Sequence, residues 1–197
     1  CGPCMLEPLM DEVLHGSEIE TLTYSEVIDI KGFLGNFLVK IRKRPRRVLA
    51  EMCFGCAQCY EPCPVSVPNE YTENMNERKA IYTPFAGALP NVPVIDESAC
   101  LRFTTGEECT KCAESCGFGA IDFTQEEEII ERSAGAVIIA TGAGLLDVSH
   151  LVSLGYGRFD DVVTTLEFEQ LLNSSGPTDG KVLRKNKEEA KSIAIVH

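Results

Sequence analysis

The sequence has few of the features that mark side-chain catalysis or membrane insertion. It contains only three histidines, none beside a catalytic partner, and no Ser-His-Asp or paired-carboxylate constellation. No G-x-G-x-x-G dinucleotide fingerprint occurs, and the glycine pair in Gly142–Gly144 is too short a match to count. No apolar run is long enough to cross a bilayer. The residues therefore offer no candidate acid, base or nucleophile and no membrane span.

Positive charge is also scarce. There are 18 Lys and Arg residues against 30 Asp and Glu residues, so the net charge is −12. Repulsion from phosphate groups then argues against a nucleic-acid-binding role. The one basic run, Lys40–Arg47, is interpreted as a solvated strand end and linker in preference to a docking patch.

Cysteine, in contrast, is abundant. Four of the ten cysteines form the motif Cys53-x2-Cys56-x2-Cys59-x3-Cys63-Pro64. This is the spacing with which a bacterial-type ferredoxin loop wraps a 4Fe–4S cluster. The fourth cysteine of such a motif binds the other cluster of a pair, so the motif predicts a second group of cysteines.

That second group is Cys100, Cys109, Cys112 and Cys116. Its last three members keep the ferredoxin order, but eight residues separate the first two, a lengthening that costs little entropy. Zinc ribbons and disulfides are the alternatives, but zinc sites favour separated Cys-x2-Cys pairs. The crossed rule of two-cluster ferredoxins predicts two ligand sets. They are Cys53, Cys56, Cys59 and Cys116 for cluster 1, and Cys63, Cys100, Cys109 and Cys112 for cluster 2.

The cysteine count also bears on location. Ten cysteines without a recognisable signal peptide favour metal ligation in a reducing compartment over disulfides, so we expect a cytoplasmic protein. Because the sequence begins with cysteine and ends in an apolar run, we also expect a segment of a longer polypeptide, with any flavin-pyrophosphate loop upstream of Cys1.

The remaining two cysteines, Cys1 and Cys4, open a helical pattern that stops near Gly16. A helix N-terminus lowers the pKa of a thiol, so the pair is a candidate redox dithiol. Ligation of a further cluster, or no redox role at all, stays equally open. A thioredoxin fold is disfavoured because the strand that should precede the dithiol is missing.

Short β-type runs lie on both sides of the cluster cysteines. Before them we expect a meander of Ile19–Tyr24, Val27–Ile30 and Phe37–Ile41, with Gly, Asp and Asn in the gaps. Beside the second cysteine group we expect short strands at Val94–Asp96 and Ala120–Phe123. Lys79–Thr83 is a further candidate, Val163–Asn173 has helical spacing, and Lys191–Val196 reads as a strand.

The segment Ala134–Gly142 carries the flavin prediction. We expect a buried parallel strand whose small final residues let the backbone approach a flavin nucleotide, which makes Ala140, Thr141 and Gly142 candidate FAD-binding residues. A β-meander just before such a strand is typical of two-dinucleotide-binding flavoproteins. The economical interpretation is a ferredoxin domain (48–125) inserted between flavoprotein segments 1–47 and 126–197.

Several stretches match one known family. They are Cys1–Met10, Ile19–Val27, Gly35–Lys40, Cys63–Glu70, Arg78–Tyr82, Ala120–Phe123, Ile138–Gly142, Gly155–Arg158, Leu166–Phe168 and Ser174–Pro177. Together they resemble the A-type iron–sulfur flavoprotein component of heterodisulfide reductases over nearly the whole chain. Two features depart from the family pattern: the lengthened gap in the second cysteine group, and Gly117 where proline usually follows the last cysteine.

The resemblance implies an α+β/α/β fold, in which a two-cluster ferredoxin domain is inserted into a partial thioredoxin-reductase-like FAD-binding domain. It implies two 4Fe–4S clusters and FAD, in a hub that splits electron pairs at the flavin (electron bifurcation). Implied partners are the other subunits of such a complex, a hydrogenase or formate dehydrogenase module, and ferredoxin. The competing hypotheses are a flavin-free polyferredoxin-like carrier and a dithiol oxidoreductase that uses Cys1 and Cys4.

Overall fold

The computed structural model of the chain describes residues 2–142 and 144–196, with side chains from residue 5 onwards in those ranges. Its helices and strands are α1 Gly2–His15, β1 Ser25–Phe33, β2 Asn36–Lys43, β3 Ser66–Pro68, β4 Glu77–Lys79, β5 Ile81–Tyr82, β6 Val94–Ile95, α2 Leu101–Thr104, α3 Lys111–Glu114, β7 Glu128–Ala134 and α4 Thr165–Leu172. Single 3-10 turns span Glu70–Thr72 and Val152–Leu154. No helix among the described residues has the length and apolarity needed to cross a membrane.

The chain forms two compact units. The first comprises the chain up to Val67 together with Arg78–Ala140, and the second comprises Pro68–Glu77 and the chain from Thr141 onward. This division reflects compactness alone, so the boundaries expected at 47/48 and 125/126 stay a prediction.

A three-stranded antiparallel sheet of order β1-β2-β7 frames the first unit. A two-residue turn joins β1 to β2, and Gly35 in that turn has a φ of +90°, which only glycine adopts without strain. β2 lies directly beside β7, with Phe37 opposite Ala134 and Lys43 opposite Glu128. Residues 44–127 therefore leave this sheet after β2, and the chain returns to it at β7.

The meander expected from the sequence is wrong in one strand. Ile19–Tyr24 ends in a turn in which Tyr24 has a φ of +57°, and the third strand of the sheet is β7. The guanidinium group of Arg132, on β7, donates hydrogen bonds to the Glu20 carboxylate. The apolar alternation of Ile19–Tyr24 thus lies beside the sheet without joining its ladder, a choice that local periodicity cannot reveal.

The basic run is part of this sheet and its exit. Its charges are matched by acidic residues of neighbouring strands and loops, with Lys40 paired to Glu131, Arg42 to Glu26 and Glu127, Lys43 to Glu128, Arg44 to Glu26, and Arg47 to Glu97. Most of these pairs are half-exposed, so each contributes little stability. Their main consequence is that β2 and β7 carry opposite charges in register.

A small apolar core lies between the cysteine loops. Val48, Ile81, Val92, Ile95 and Ala120 are nearly inaccessible to solvent, and six of the cluster cysteines pack against or within this group. β5 pairs with β6, which places the expected strand Val94–Asp96 largely as predicted. The expected strand Ala120–Phe123 is reduced to a single bridge between Ile121 and Val48.

The second unit contains α4, within the helix expected at Val163–Asn173. Its start is a capping box: the Thr164 hydroxyl accepts a hydrogen bond from the Glu167 amide at 3.2 Å, and the Glu167 carboxylate accepts one from the Thr164 amide at 2.6 Å. Leu171 is the buried residue of this helix. The helix expected to end near Gly16 is likewise present as α1.

Two expected strands are wrong. In Ala134–Gly142 only Ala134 belongs to a strand, and Ile138 and Ile139 are 90% and 80% exposed. Lys191–Val196 forms no strand in the described residues either. A buried parallel strand needs neighbours on both sides, and no strand of the described residues pairs with either segment.

Candidate metal centres

One cavity of the first unit is lined by Cys53, Cys56, Cys59 and Cys116. These are the same four cysteines as the first predicted ligand set. Most of the remaining lining is apolar and includes Val48, Pro93 and Ile121. The exposed rings of Phe54 and Phe118 lie 4.6 Å apart, centroid to centroid, at its rim.

A second cavity is lined by Cys63, Cys100, Cys109 and Cys112, which are the second predicted set. The lining also includes Ile81, Ile95, Leu101 and Lys111. Each cavity encloses about 350 Å³ when the part open to solvent is counted. The two are thus alike in size and in donor set, and they share the crossed arrangement of cysteines.

The turn that holds the first cavity depends on a glycine. Gly55, between Cys53 and Cys56, has a φ of +67°, and a Cβ atom there would lie 2.2 Å from the Asn91 amide nitrogen and 2.7 Å from the Asn91 carbonyl oxygen. The next residue but one, Ala57, is also left-handed with a φ of +61°. The chain therefore curls tightly enough for successive thiols to face one cavity.

The eight-residue gap in the second group is filled by a helical turn. α2 begins directly after Cys100, its Leu101 lines the cavity, and Phe103 packs against the core. The Phe103 and Phe123 rings lie 6.3 Å apart, and the Arg47 guanidinium carbon sits 4.7 Å from the Phe103 ring centre. Sequence reasoning treated this gap as a loop, and the apolar Leu101 and Phe103 within it were the signal that could have identified the turn.

Backbone amides point at two of the thiols. The Gly55 amide donates to Cys53 Sγ at 3.4 Å, and the Ala120 amide donates to Cys116 Sγ at 3.4 Å. Hydrogen bonds to sulfur are one of the means by which proteins tune iron–sulfur clusters. Both bonds belong to the first ligand set.

Burial dominates the protonation of the deepest thiols. It raises the pKa of Cys59 to about 12, with a further contribution from neighbouring cysteines, and it raises the pKa of Cys112 to about 11 for the same two reasons. Such thiols stay protonated at neutral pH on their own. A metal centre reverses this, because ligation deprotonates a coordinating thiol.

The donor set fits a polynuclear cluster better than the alternatives. All eight cysteines are free thiols, so no disulfide joins any of them. Within the described residues, no three His, Cys, Asp or Glu side chains are arranged to hold a single metal ion, as a zinc site requires. Four thiols spaced around a cavity remain compatible with a cluster that fills the space between them.

The other predicted site residues are not brought to these cavities. Ala140, Thr141 and Gly142 are exposed and lie outside the sheet, and the space around the Gly142 α-carbon is open. Cys1 lies outside the described residues. Cys4 belongs to α1, but its side chain lies outside the described part, so the dithiol hypothesis stays a prediction.

Two cavities lined by four thiols each define a candidate iron–sulfur protein, and comparison with curated proteins adds the family. Three relatives are A-type components of heterodisulfide reductases from methanogens. The chain is 42% identical over 198 residues to that of the H(2):CoB-CoM heterodisulfide,ferredoxin reductase of Methanothermobacter marburgensis, a match that covers 100% of this chain and 29% of that protein. It is 45% identical over 197 residues to an iron-sulfur component of the CoB--CoM heterodisulfide reductase of Methanopyrus kandleri, with the same coverage. It is 42% identical to that of the Ferredoxin:CoB-CoM heterodisulfide reductase of Methanosarcina acetivorans over 184 residues, 93% of this chain and 23% of that protein.

Over its whole length the chain therefore corresponds to an internal segment of the A-type component of heterodisulfide reductase, which confirms the resemblance seen in the sequence. It spans less than a third of the length of these relatives. No protein-family model matches the chain.

Proposed function

We propose that this chain is the electron-transfer segment of a heterodisulfide-reductase-like oxidoreductase and that it holds two 4Fe–4S clusters. The observation that carries the proposal is the crossed lining of the two cavities by eight cysteines in ferredoxin spacing. The relatives' names, which include "reductase" and "iron-sulfur", support the same chemistry. When bound, such clusters supply one-electron storage and transfer.

The chain's own residues have three tasks in this proposal. The thiols hold the clusters, and the apolar lining around Val48, Ile81 and Ile95 keeps water away from them. The amides of Gly55 and Ala120 direct partial positive charge at two thiolate sulfurs. Burial and hydrogen bonding together set cluster potentials, so these residues act on electron flow without making or breaking bonds.

Elemental analysis tests the cluster proposal. The whole subunit is purified without oxygen, and iron, labile sulfide and zinc are measured in the parent and in a variant with all eight cysteines replaced by serine. We expect the difference to be about eight iron and eight sulfide atoms, since each cluster contains four of each. A difference made of zinc, or one near four iron atoms, would contradict it.

We further propose that the whole subunit binds FAD and that Ala140, Thr141 and Gly142 lie near it, in a thioredoxin-reductase-like domain that carries the cluster domain. Two observations support this. The cluster region departs from and returns to one sheet, as an insert does. Ile138 and Ile139 are almost fully exposed, and the chain spans less than a third of its relatives' length. Flavin content of the natively purified subunit decides, because an intact subunit without FAD would contradict this proposal and leave the cluster proposal standing.

The activity and partners of the whole protein follow from the relatives by analogy. Their names specify a heterodisulfide, ferredoxin and, in one case, H2 as reactants. We propose corresponding partners here: the other subunits of a reductase complex, a hydrogenase or formate dehydrogenase module, and ferredoxin, in the cytoplasm, with electron bifurcation at the flavin. Co-purification from native extract and ferredoxin reduction by the complex test this, and a monomeric subunit inert towards ferredoxin would contradict it.

A further inference from the structure

The two cysteine groups differ at one position that lines both cavities. Gln58 directly precedes Cys59, and Lys111 directly precedes Cys112, so the two residues occupy equivalent positions in the two halves of the cluster region. Each lines the cavity of its own cysteine set. The internal repeat is therefore neutral at this position in one half and cationic in the other.

This difference is not diluted by other charges at the cavities. Apart from the thiols, Lys111 is the single ionisable side chain among the residues that line either cavity, all of which the structure describes. Within residues 5–142 and 144–196, no carboxylate lies at ion-pair distance from its ammonium group. Lys111 is exposed, so water screens its charge in part.

We propose that Lys111 makes the cluster of the second cavity the easier of the two to reduce, an inference that rests on the proposed two-cluster function. Reduction adds one negative charge to a cluster, and a nearby cation stabilises that added charge. An electron on the pair then resides preferentially in the second cavity: the first cluster is oxidised by one electron as the second is reduced by one. Gln58 gives the first cluster no comparable stabilisation.

The size of the effect can be bounded. A unit charge at about 10 Å in a medium of effective dielectric constant ~20 changes an equilibrium by roughly tenfold. Because solvent screens the exposed ammonium group, we expect a three- to tenfold change in the distribution of the electron. For a one-electron couple this is about 30–60 mV, at 59 mV per factor of ten.

The experiment is a potentiometric titration of the whole subunit, followed by electron paramagnetic resonance at low salt. The signal of the second cluster is identified as the one altered or lost in Cys109→Ser. Lys111→Gln should lower the midpoint of that signal by the three- to tenfold equivalent and leave the other unchanged. Gln58→Lys should raise the midpoint of the first cluster, whereas Lys31→Gln, which removes the same charge from β1 away from both cavities, should shift neither.

The outcomes separate this inference from the function on which it rests. Iron well below eight atoms, measured against the eight-serine variant, overturns the cluster proposal and this inference with it. Full iron with midpoints that move in neither Lys111→Gln nor Gln58→Lys overturns the inference alone. If Lys111→Gln fails to retain iron, Gln58→Lys and the unmodified subunit decide, since added salt should narrow the gap between the two midpoints of the parent protein.

Discussion

Single residues around the cavities carry unequal shares of the fold, and the pair Arg78–Asp96 is one of the better buried. The Arg78 guanidinium donates to the Asp96 carboxylate at 2.8 Å, and both side chains are less than one-fifth exposed. The same guanidinium lies 4.0 Å from the Tyr82 ring centre. Burial alone would raise the pKa of Asp96, but hydrogen bonds from Ser98 and Arg78 outweigh it, so the pKa is lowered.

We therefore predict that Asp96→Asn destabilises the first unit by about 2 kcal/mol at pH 7, the usual scale for a hydrogen bond to a charged group. A depressed carboxyl pKa stabilises the fold above the unfolded-state value near 4, and that contribution is lost as pH falls through the folded-state value. Urea unfolding at pH 7 and at pH 3.5 measures it, and the gap between parent and variant should narrow at the lower pH. Asp29→Asn, which removes an exposed partner of Lys31, is the matched control. A gap that widens in acid would contradict the assignment.

A second prediction at this scale concerns Gly55. Gly55→Ala combines a left-handed φ with a collision against Asn91, whereas Gly87→Ala places a Cβ atom at a φ of +88° in open space. Strain alone costs about 1–2 kcal/mol, so both variants lose some stability. Only Gly55→Ala should also displace Cys53 and Cys56 and accelerate iron loss under a chelator. Equal iron-release rates in the two variants would show that the turn at Gly55 does not position the thiols.

At the scale of elements, α4 offers the cleanest test because its start is fixed by one reciprocal pair. Thr164→Ala removes the hydroxyl that accepts from the Glu167 amide, and loss of such a cap costs about 1 kcal/mol. Hydrogen exchange of the amides in the first turn should accelerate roughly fivefold. Thr165→Ala, one residue into the helix, is the control. Unchanged exchange in Thr164→Ala would mean that packing, and not the cap, sets the helix start.

The elements also show how far the sequence alone could lead. Helical spacing identified α1 and α4, and cysteine spacing grouped the eight thiols as the cavities group them. It could not identify β7 as the neighbour of β2, because that pairing joins residues far apart in sequence through complementary charges. Nor did the apolar run Ile138-Ile139 become a strand, since no strand of the described residues pairs with it.

At the scale of the whole molecule, the cysteine pairing is the central claim, because it makes the two motifs interdependent. Each cavity draws thiols from both cysteine groups, with Cys116 completing the first and Cys63 the second. Neither motif can therefore hold a complete cluster by itself. The corresponding segment of the relatives is small, 29% of their length, which makes two linked centres a compact route for electrons within a much larger protein.

The most direct measurement compares iron content in two variants of the whole subunit that each replace four cysteines by serine. The crossed variant removes the lining of one cavity, and the sequential variant removes the first motif; the sets are Cys53, Cys56, Cys59 and Cys116, and Cys53, Cys56, Cys59 and Cys63. Crossed pairing predicts a loss of about four iron atoms in the crossed variant and a larger loss, up to about eight, in the sequential variant. A loss of about four in the sequential variant with a larger loss in the crossed variant would contradict the account.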